Sequence, residues 1–274
     1  MKVIIAPTDF SEISINAVNY AADLAVTIHA GLALLHVYQV PVNYSEVPLP
    51  ATILSDTENA IAKIEKLKEK LTERTRAEIK IYTEVQIGSV ITVLRDYCKD
   101  LKPYAVVMGA QGAGAVERFL FGSNTISAMK HLSWPLIVVP AEAKYTRIKK
   151  IGLACDMKNV TETTPIEEIK ALAKEFGARV EVIHISTEDD NKYGPEIVNE
   201  SGLLQELLYD THPTYHFPGN VNIEEGLSSF AEKNKLDLLI IVPKKHNIID
   251  KLFHKSHSKQ LIFHTHVPVM AVHE

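Results

Sequence analysis

The small residues of the run MGAQGAGAVERFLFGSNT, from Met108 to Thr125, are spaced to wrap a polyphosphate. Gly109 and Gly112 bracket a tight turn, nine residues follow, and Gly122-Ser123 then opens a helical run with Asn124 and Thr125. Glycine lacks a Cβ, so backbone N–H groups can close on an anion and the chain can take positive φ. A helix start adds unpaired N–H groups and the positive end of the helix dipole. There the Ser123 hydroxyl can cap the helix or donate to a phosphate oxygen. The same residues also suit a glycine-rich turn followed by an ordinary N-cap, and spacing alone leaves both readings open.

The elements around this loop fit a phosphate cradle. Tyr104 to Met108 is a short apolar run between Pro103 and Gly109, as expected of a buried parallel strand that feeds the glycines. Val3 to Ala6 is a second such strand and runs into Pro7-Thr8-Asp9-Phe10-Ser11; Leu34-Leu35-His36-Val37-Tyr38 is a third. Between these two, Ser11 or Ser14 caps a helix whose Ala17, Tyr20, Ala21, Leu24 and Ala25 recur at helical spacing, and Gly31 ends it. Residues 41–50 hold three prolines and read as a loop near the mouth of the site. Residues 56–77 read as a charged helix with a buried stripe of Ile61, Ile64, Leu67 and Leu71 and a solvated Lys/Glu face.

Together the three segments resemble the universal stress protein family, whose ATP-binding members carry G-x2-G-x9-G-[S/T] before the last strand. Gly109, Gly112, Gly122 and Ser123 fit that spacing without a gap. Pro7 to Ser11 is similar to the Pro-x-Asp-x-Ser-like turn after the family's first strand, and Leu34 to Tyr38 looks like the second strand, whose valine edge faces adenine. The resemblance implies an adenine nucleotide alpha hydrolase-like fold with strand order 3-2-1-4-5 and ATP as ligand. Pro7, Thr8, Asp9 and Val37 would surround the adenosine, and Met108 would line the wall. Gly109 and Gly112 would cradle the phosphates, with Gly122, Ser123, Asn124 and Thr125 completing the contact. Mg2+ would bridge the phosphates with few protein ligands. Asp9 has an alternative duty as a cap of the next helix, and Arg118 in the spacer either approaches the phosphates or stays exposed.

At 274 residues the chain suits two domains of about 140 residues each. A net charge of −5 and a pI near 6.2 argue against a general nucleic-acid binder. No apolar run approaches the roughly 20 residues of a membrane span. Met1-Lys2 leads straight into a strand, which leaves no room for a signal peptide. Cys98 and Cys155 show neither CxxC nor metal-like spacing, so they read as core or edge fillers in a reducing cytoplasm. No nucleic-acid or membrane partner is expected.

The two halves repeat. Ile148–Asp156 echoes Met1–Asp9, and VEVIHIS from Val180 echoes LALLHVYQ from Leu32. Pro218–Val221 parallels Ile87–Val90, Leu236–Pro243 answers Lys102–Gly109, and Val267–Val272 answers Trp134–Val139. Each half is a β-α series that right-handed crossovers turn into a doubly wound sheet. The fold class is therefore α/β, with two doubly wound open parallel five-stranded sheets, in domains 1–142 and 146–274. The linker near Ala141–Thr146 is too short for a flexible tether, so the domains are expected to dock as a pseudo-dimer. The resemblance implies edge-to-edge pairing of Leu136–Val139 with Val269–Val272, with a homodimer left open.

The halves differ where chemistry would occur. Pro243, His246, Ser256 and His257 stand opposite Gly109, Gly112, Gly122 and Ser123, so the second half is not expected to bind ATP in the family manner. Asp156 stands opposite Asp9, and Ala154 opposite Pro7. Hydrolysis has thin support. GxxxxGK[ST], a PP-loop Ser-Gly-Gly and a His-x-Gly-His signature are all absent, and KSHSK at 255–259 lies in the half without glycines. The leading reading is an ATP-binding stress-response module whose nucleotide state guides an unidentified regulatory protein partner. The alternative is a slow ATPase or autophosphorylating protein with Ser123 and Thr125 as acceptors.

A third reading concerns histidine. Eight of the twelve lie from His212 onward, and His254, His257, His264 and His266 can converge on Zn2+ or remain surface imidazoles. Lys244, Lys245, Lys251, Lys255 and Lys259 make the same loop an anion- or acidic-partner candidate. Between Thr187 and Tyr215, Ile197, Leu203, Leu204, Leu207 and Leu208 read as an amphipathic helix packed within the chain or on a partner.

Overall fold

The computed structural model describes residues 2–39, 51–111, 122–186, 194–219, 222–243 and 265–273. They form two compact units, the first ending at Tyr145 and the second beginning at Thr146.

The first unit runs β1 (Val3–Pro7), α1 (Glu12–Thr27), β2 (Gly31–Tyr38), α2 (Ala51–Arg74), β3 (Ile81–Ile87), α3 (Val90–Leu101), β4 (Ala105–Gly109), α4 (Ser123–His131) and β5 (Leu136–Val139). Its strands are parallel in the order β3-β2-β1-β4-β5. The second unit runs β6 (Lys150–Ala154), α5 (Val160–Thr163), α6 (Ile166–Phe176), β7 (Arg179–Ile183), α7 (Pro195–Leu207), β8 (Thr214–His216), α8 (Ile223–Lys233), β9 (Leu238–Ile241) and β10 (Val269–Ala271). Its parallel order, β8-β7-β6-β9-β10, repeats the first. Helices cover both faces of such a sheet, so its central strands are apolar throughout: Ile4, Ile5, Val106 and Val107 are fully buried, as are Leu153 and Ile240 in the second unit.

Local chemistry sets the helix limits. Ser11 caps α1 by accepting the Ser14 N–H at 3.2 Å. The far end of α1 differs from expectation. Gly31 is already the first residue of β2, paired with Val3, and it is His29 that takes positive φ, at 53°. Helix α2 starts at Ala51 and stops at Arg74, shorter at its end than residues 56–77 suggested. Its buried stripe is Ala60, Ile64, Leu67 and Leu71, whereas Ile61 is 48% exposed; the stripe lies one position from the expected start because helical spacing runs back from Ile64 to Ala60.

Polar ties hold α2 to its surroundings. Tyr38 donates to Asp56 at 2.9 Å, and Thr83 donates to Glu65 at 2.5 Å. The Thr83 hydroxyl, with Lys68, holds the Glu65 carboxyl below its usual range. Arg74 grips Asp23 of α1 through both carboxylate oxygens, at 2.9 and 2.7 Å.

The amphipathic helix expected between Thr187 and Tyr215 is α7, with Leu208 as its C-cap, and it packs within its own unit. Leu204 and Leu208 are fully buried, and Glu200 accepts the Val160 N–H at 2.8 Å. Ile197, Leu203 and Leu207 are only half-buried. Among the described residues no helix is long and apolar enough to cross a membrane.

Candidate functional site

Strand β1 lies between β2 and β4, so the chain leaves its C-terminal end toward one side of the sheet and returns on the other. That is the topological switch point, where open α/β sheets leave a crevice. Pro7, Thr8, Asp9, Val37, Met108 and Gly109 all lie at these strand ends.

Thr8 is the hub of the β1 turn. It is buried, its N–H donates to Leu35 O at 2.9 Å, and its carbonyl accepts from His36 Nδ1 at 2.8 Å. Its hydroxyl continues a chain of hydrogen bonds. The Phe10 N–H donates to Thr8 Oγ1 at 3.0 Å, Thr8 and Ser14 hydroxyls meet at 2.9 Å, and Ser14 Oγ donates to Ser11 O at 3.0 Å. Phe10 takes φ of 63° and lays its ring 4.6 Å from the His36 ring, with Lys63 Nζ 5.8 Å above it. Asp9 is exposed, and its Oδ1 accepts both the N–H of Ser11 at 3.0 Å and its hydroxyl at 2.6 Å. That oxygen serves the start of α1. Val37 is half-buried beside Gln86, and Met108 is buried against the register position of Val138.

The end of β4 and the start of α4 are fastened together. Gly122 N–H donates to Ala110 O at 2.7 Å, Ala110 N–H to Val139 O at 2.9 Å, and the buried Thr125 hydroxyl to Gly109 O at 3.0 Å. Gly122 is the N-cap, in extended backbone at φ −63°, and as a glycine it supplies no side-chain cap to the first turn. Ser123 is therefore the first helical residue and not the cap. Ser123 and Asn124 are exposed. The first-turn N–H groups thus sit beside the β4 end with no side-chain acceptor from the N-cap residue, an arrangement whose electrostatics suit an anion. Gly109 has a packing duty as well, since a Cβ there would meet Ile13 of α1. Gly112 and Arg118 lie outside the described residues.

The second unit reproduces the scaffold of this turn. Cys155 N–H donates to Ile183 O at 2.9 Å, as Thr8 does to Leu35, and Cys155 O accepts from His184 Nδ1 at 3.0 Å, as Thr8 O does from His36. Met157 takes φ of 53° at the place of Phe10, and Asp156 Oδ1 accepts the Lys158 N–H at 3.2 Å, two residues on, as Asp9 does from Ser11. The paired histidines were not singled out from the sequence, yet the shared His in LLHV and VIHI was the signal.

Past Pro243 the second-unit loop, with His246, His254, Ser256, His257 and His264, lies outside the described residues. Among the described residues no group of three or more His, Cys, Asp or Glu can hold a metal. His216 instead meets Glu181 at 2.6 Å and packs 4.8 Å from the Phe230 ring. Cys98 is fully buried, and burial pushes its thiol up to about 12.

The universal stress protein family model matches residues 1–140 and again 147–273. A universal stress protein of Methanocaldococcus jannaschii is 26% identical over 149 residues, which cover 52% of this chain and 84% of the relative. One from Mycolicibacterium smegmatis is 33% identical over 141 residues, 50% of this chain and 47% of that longer relative. The crystal structure of a universal stress protein from Archaeoglobus fulgidus aligns with 99% of this chain and 96% of its own at a TM-score of 0.71 and 16% identity, a likeness of fold. Matched by the family in each of its halves, the chain belongs to the universal stress protein family.

Proposed function

We propose that this tandem protein is a regulatory nucleotide-binding module of the cytoplasm, in which domain 1–142 binds ATP and domain 146–274 does not bind it in the same manner. The observation that carries this reading is the N-terminus of α4, which begins on a glycine N-cap and is fastened to the end of β4 by Gly122 N–H to Ala110 O and by Thr125 to Gly109 O. Donors held at a switch point need no reorganisation to receive phosphate oxygens. Gly109, Gly122, Ser123 and Asn124 form the phosphate end, joined by Gly112 from the loop. Pro7, Thr8, Asp9, Val37 and Met108 form the adenosine end. Thr125 acts through Gly109, as a positioning residue. Mg2+ bound to the phosphates neutralises charge and needs few protein ligands.

Heat release and chromatography of the purified full chain test this, beside Gly122→Val and Ser123→Glu. ATP or ADP near stoichiometry in the wild type and its loss in both variants is the expected result. No nucleotide in the wild type, and none taken up with ATP and Mg2+, would reject the reading.

A slow autophosphorylating activity is the second reading, favoured by one observation. The Ser123 hydroxyl is exposed at the first helical position, whereas Thr125 is buried and already donating, so Ser123 is the acceptor to test. Labelled phosphate on the wild type and none on Ser123→Ala supports it; no label at all removes it.

A further inference from the structure

The outer strands of the two units are protected differently. In the second unit the outer strand β8 is three residues long, and Pro218 follows it closely. In the first, β3 runs for seven residues as IYTEVQI, with neither the proline nor the lysine that commonly blunts a sheet edge. The ladder to β2 fixes which backbone groups face out. Lys80 O accepts the Leu32 N–H and the Gly88 N–H donates to Tyr38 O, so even-numbered residues turn toward β2, and Ile81, Thr83, Val85 and Ile87 turn their N–H and C=O outward. No strand among the described residues pairs with them.

The flank of α2 beside that edge carries exposed apolar side chains. The Thr83 hydroxyl donates to Glu65, so strand alternation sets Thr83, Val85 and Ile87 on the α2 side of the sheet and Glu84 and Gln86 on the other. Ile61 lies one turn before Glu65, and Leu54 two turns before Ile61, on the same flank of the helix. They are 48% and 58% exposed, and Ile87 of the strand is 42% exposed. Helix α2 touches both β2 and β3. A helix seated over that pair of strands lies about 10 Å, two strand spacings, from a copy of itself brought up by pairing along β3, which is helix-packing distance.

Position, register and charge agree on one occupant. Helix α2 runs antiparallel to β3, and two residues up the strand from Thr83, about 6.6 Å, correspond to about four residues back along the helix from Glu65, so Ile61 is level with Val85. A two-fold axis through Val85 then sets Ile61 against Ile61 of a second copy and Leu54 against the methylene stem of its Lys68. The same axis pairs Thr83 with Ile87 and Glu84 with Gln86, whereas an axis through Glu84 would set two carboxylates opposite each other. Before Ile61 the helix carries Asp56 and Glu58 and no cation; beyond it stand four lysines and Arg74 against three glutamates, so antiparallel copies set an acidic half against a basic half. We propose that two copies of this chain associate through the outer edge of the first unit, with β3 pairing antiparallel to β3 about Val85 and α2 crossing α2 at Ile61. This interface is independent of the nucleotide reading.

Analytical ultracentrifugation of the full chain over about 1–500 µM, the span of weak to moderate self-association, tests this. A concentration-dependent dimer is expected of the wild type. Ile61→Lys, at an exposed site, and Val85→Pro, which removes only an outward-facing N–H, should each weaken the dimer at least about tenfold with the far-UV helix signal retained. Under mild oxidation Ile61→Cys should give a disulfide-linked dimer joined through position 61, whereas Asn59→Cys, exposed on another side of α2, should not. Should Val85→Pro fail to fold, the two Ile61 variants decide alone. A wild type that stays monomeric throughout overturns the proposal and leaves the edge to an extended segment of a different protein. A dimer undiminished by Ile61→Lys, or cross-linked equally through positions 59 and 61, overturns it as well.

Discussion

A Cβ placed on Gly109 would lie 2.9 Å from Ile13 Cγ2 and 3.0 Å from the Ile13 carbonyl oxygen. The last residue of β4 is glycine because α1 passes directly against it, and a backbone oxygen has little room to yield. Gly109→Ala should lower stability by about 1–3 kcal/mol, the usual cost of overpacking a well-filled contact. Denaturant unfolding measures it, and an unchanged midpoint would mean that α1 gives way. Lost nucleotide binding in a Gly109 variant therefore cannot be assigned to phosphate contact alone.

Ser123 makes the cleaner probe. A glutamate at the first position of α4 suits the helix dipole and should leave stability unchanged or raise it by about 0.5 kcal/mol. The same carboxylate repels phosphates, so ATP affinity should fall by at least about tenfold. Calorimetric titration with ATP and Mg2+ checks this, and undiminished affinity would place the phosphates elsewhere.

Thr125→Val keeps the side-chain shape but removes the donor to Gly109 O. Leaving that carbonyl unpaired in a buried place should cost about 1–3 kcal/mol, while Thr125→Ser should retain most of the bond. If the valine variant unfolds at the wild-type midpoint, another donor has taken over the carbonyl.

Cys98 sets a pH signature. Its thiol is raised from 9.0 to about 12 in the folded chain by burial. Its contribution to stability is therefore fully present below pH 9.0 and is lost as pH rises toward about 12, because the unfolded thiol ionises first. The stability difference between wild type and Cys98→Ala should shrink across that window. At neutral pH a thiol reagent should modify half-buried Cys155 before fully buried Cys98; the reverse order, followed by peptide mapping, would contradict the burial assigned to α3.

The fold was legible because it is written twice. Apolar runs such as Val3–Ala6 and Leu34–Tyr38 reappear in the second half in the same order, and repetition filtered out chance periodicity. Ends of elements were less legible. Gly31 looked like a helix stop, but His29 takes the left-handed turn, and a β-strand can begin on a glycine. Ile61 and Ala60 are neighbours in sequence, and only the direction in which α2 rolls against the sheet decides which is buried.

At the site, residue types showed where an anion would be held, but not which atoms were already engaged. Asp9 Oδ1 is occupied by Ser11, Thr125 by Gly109, and Gly109 itself by the approach of Ile13. Such pairings depend on contacts between elements far apart in sequence, and no spacing rule encodes them.

Phe10 and Met157 hold the same left-handed bend in the two units, and neither is glycine. Glycine would reach that conformation without steric cost, so drift had an easy exit in both copies. The bend persists even in the copy whose downstream loop has lost every glycine counterpart. It therefore behaves as inherited scaffold, separable from ligand choice. An engineer who grafts a new specificity onto either half has reason to keep residues 9–11 and 156–158 as they are and to vary the loops alone.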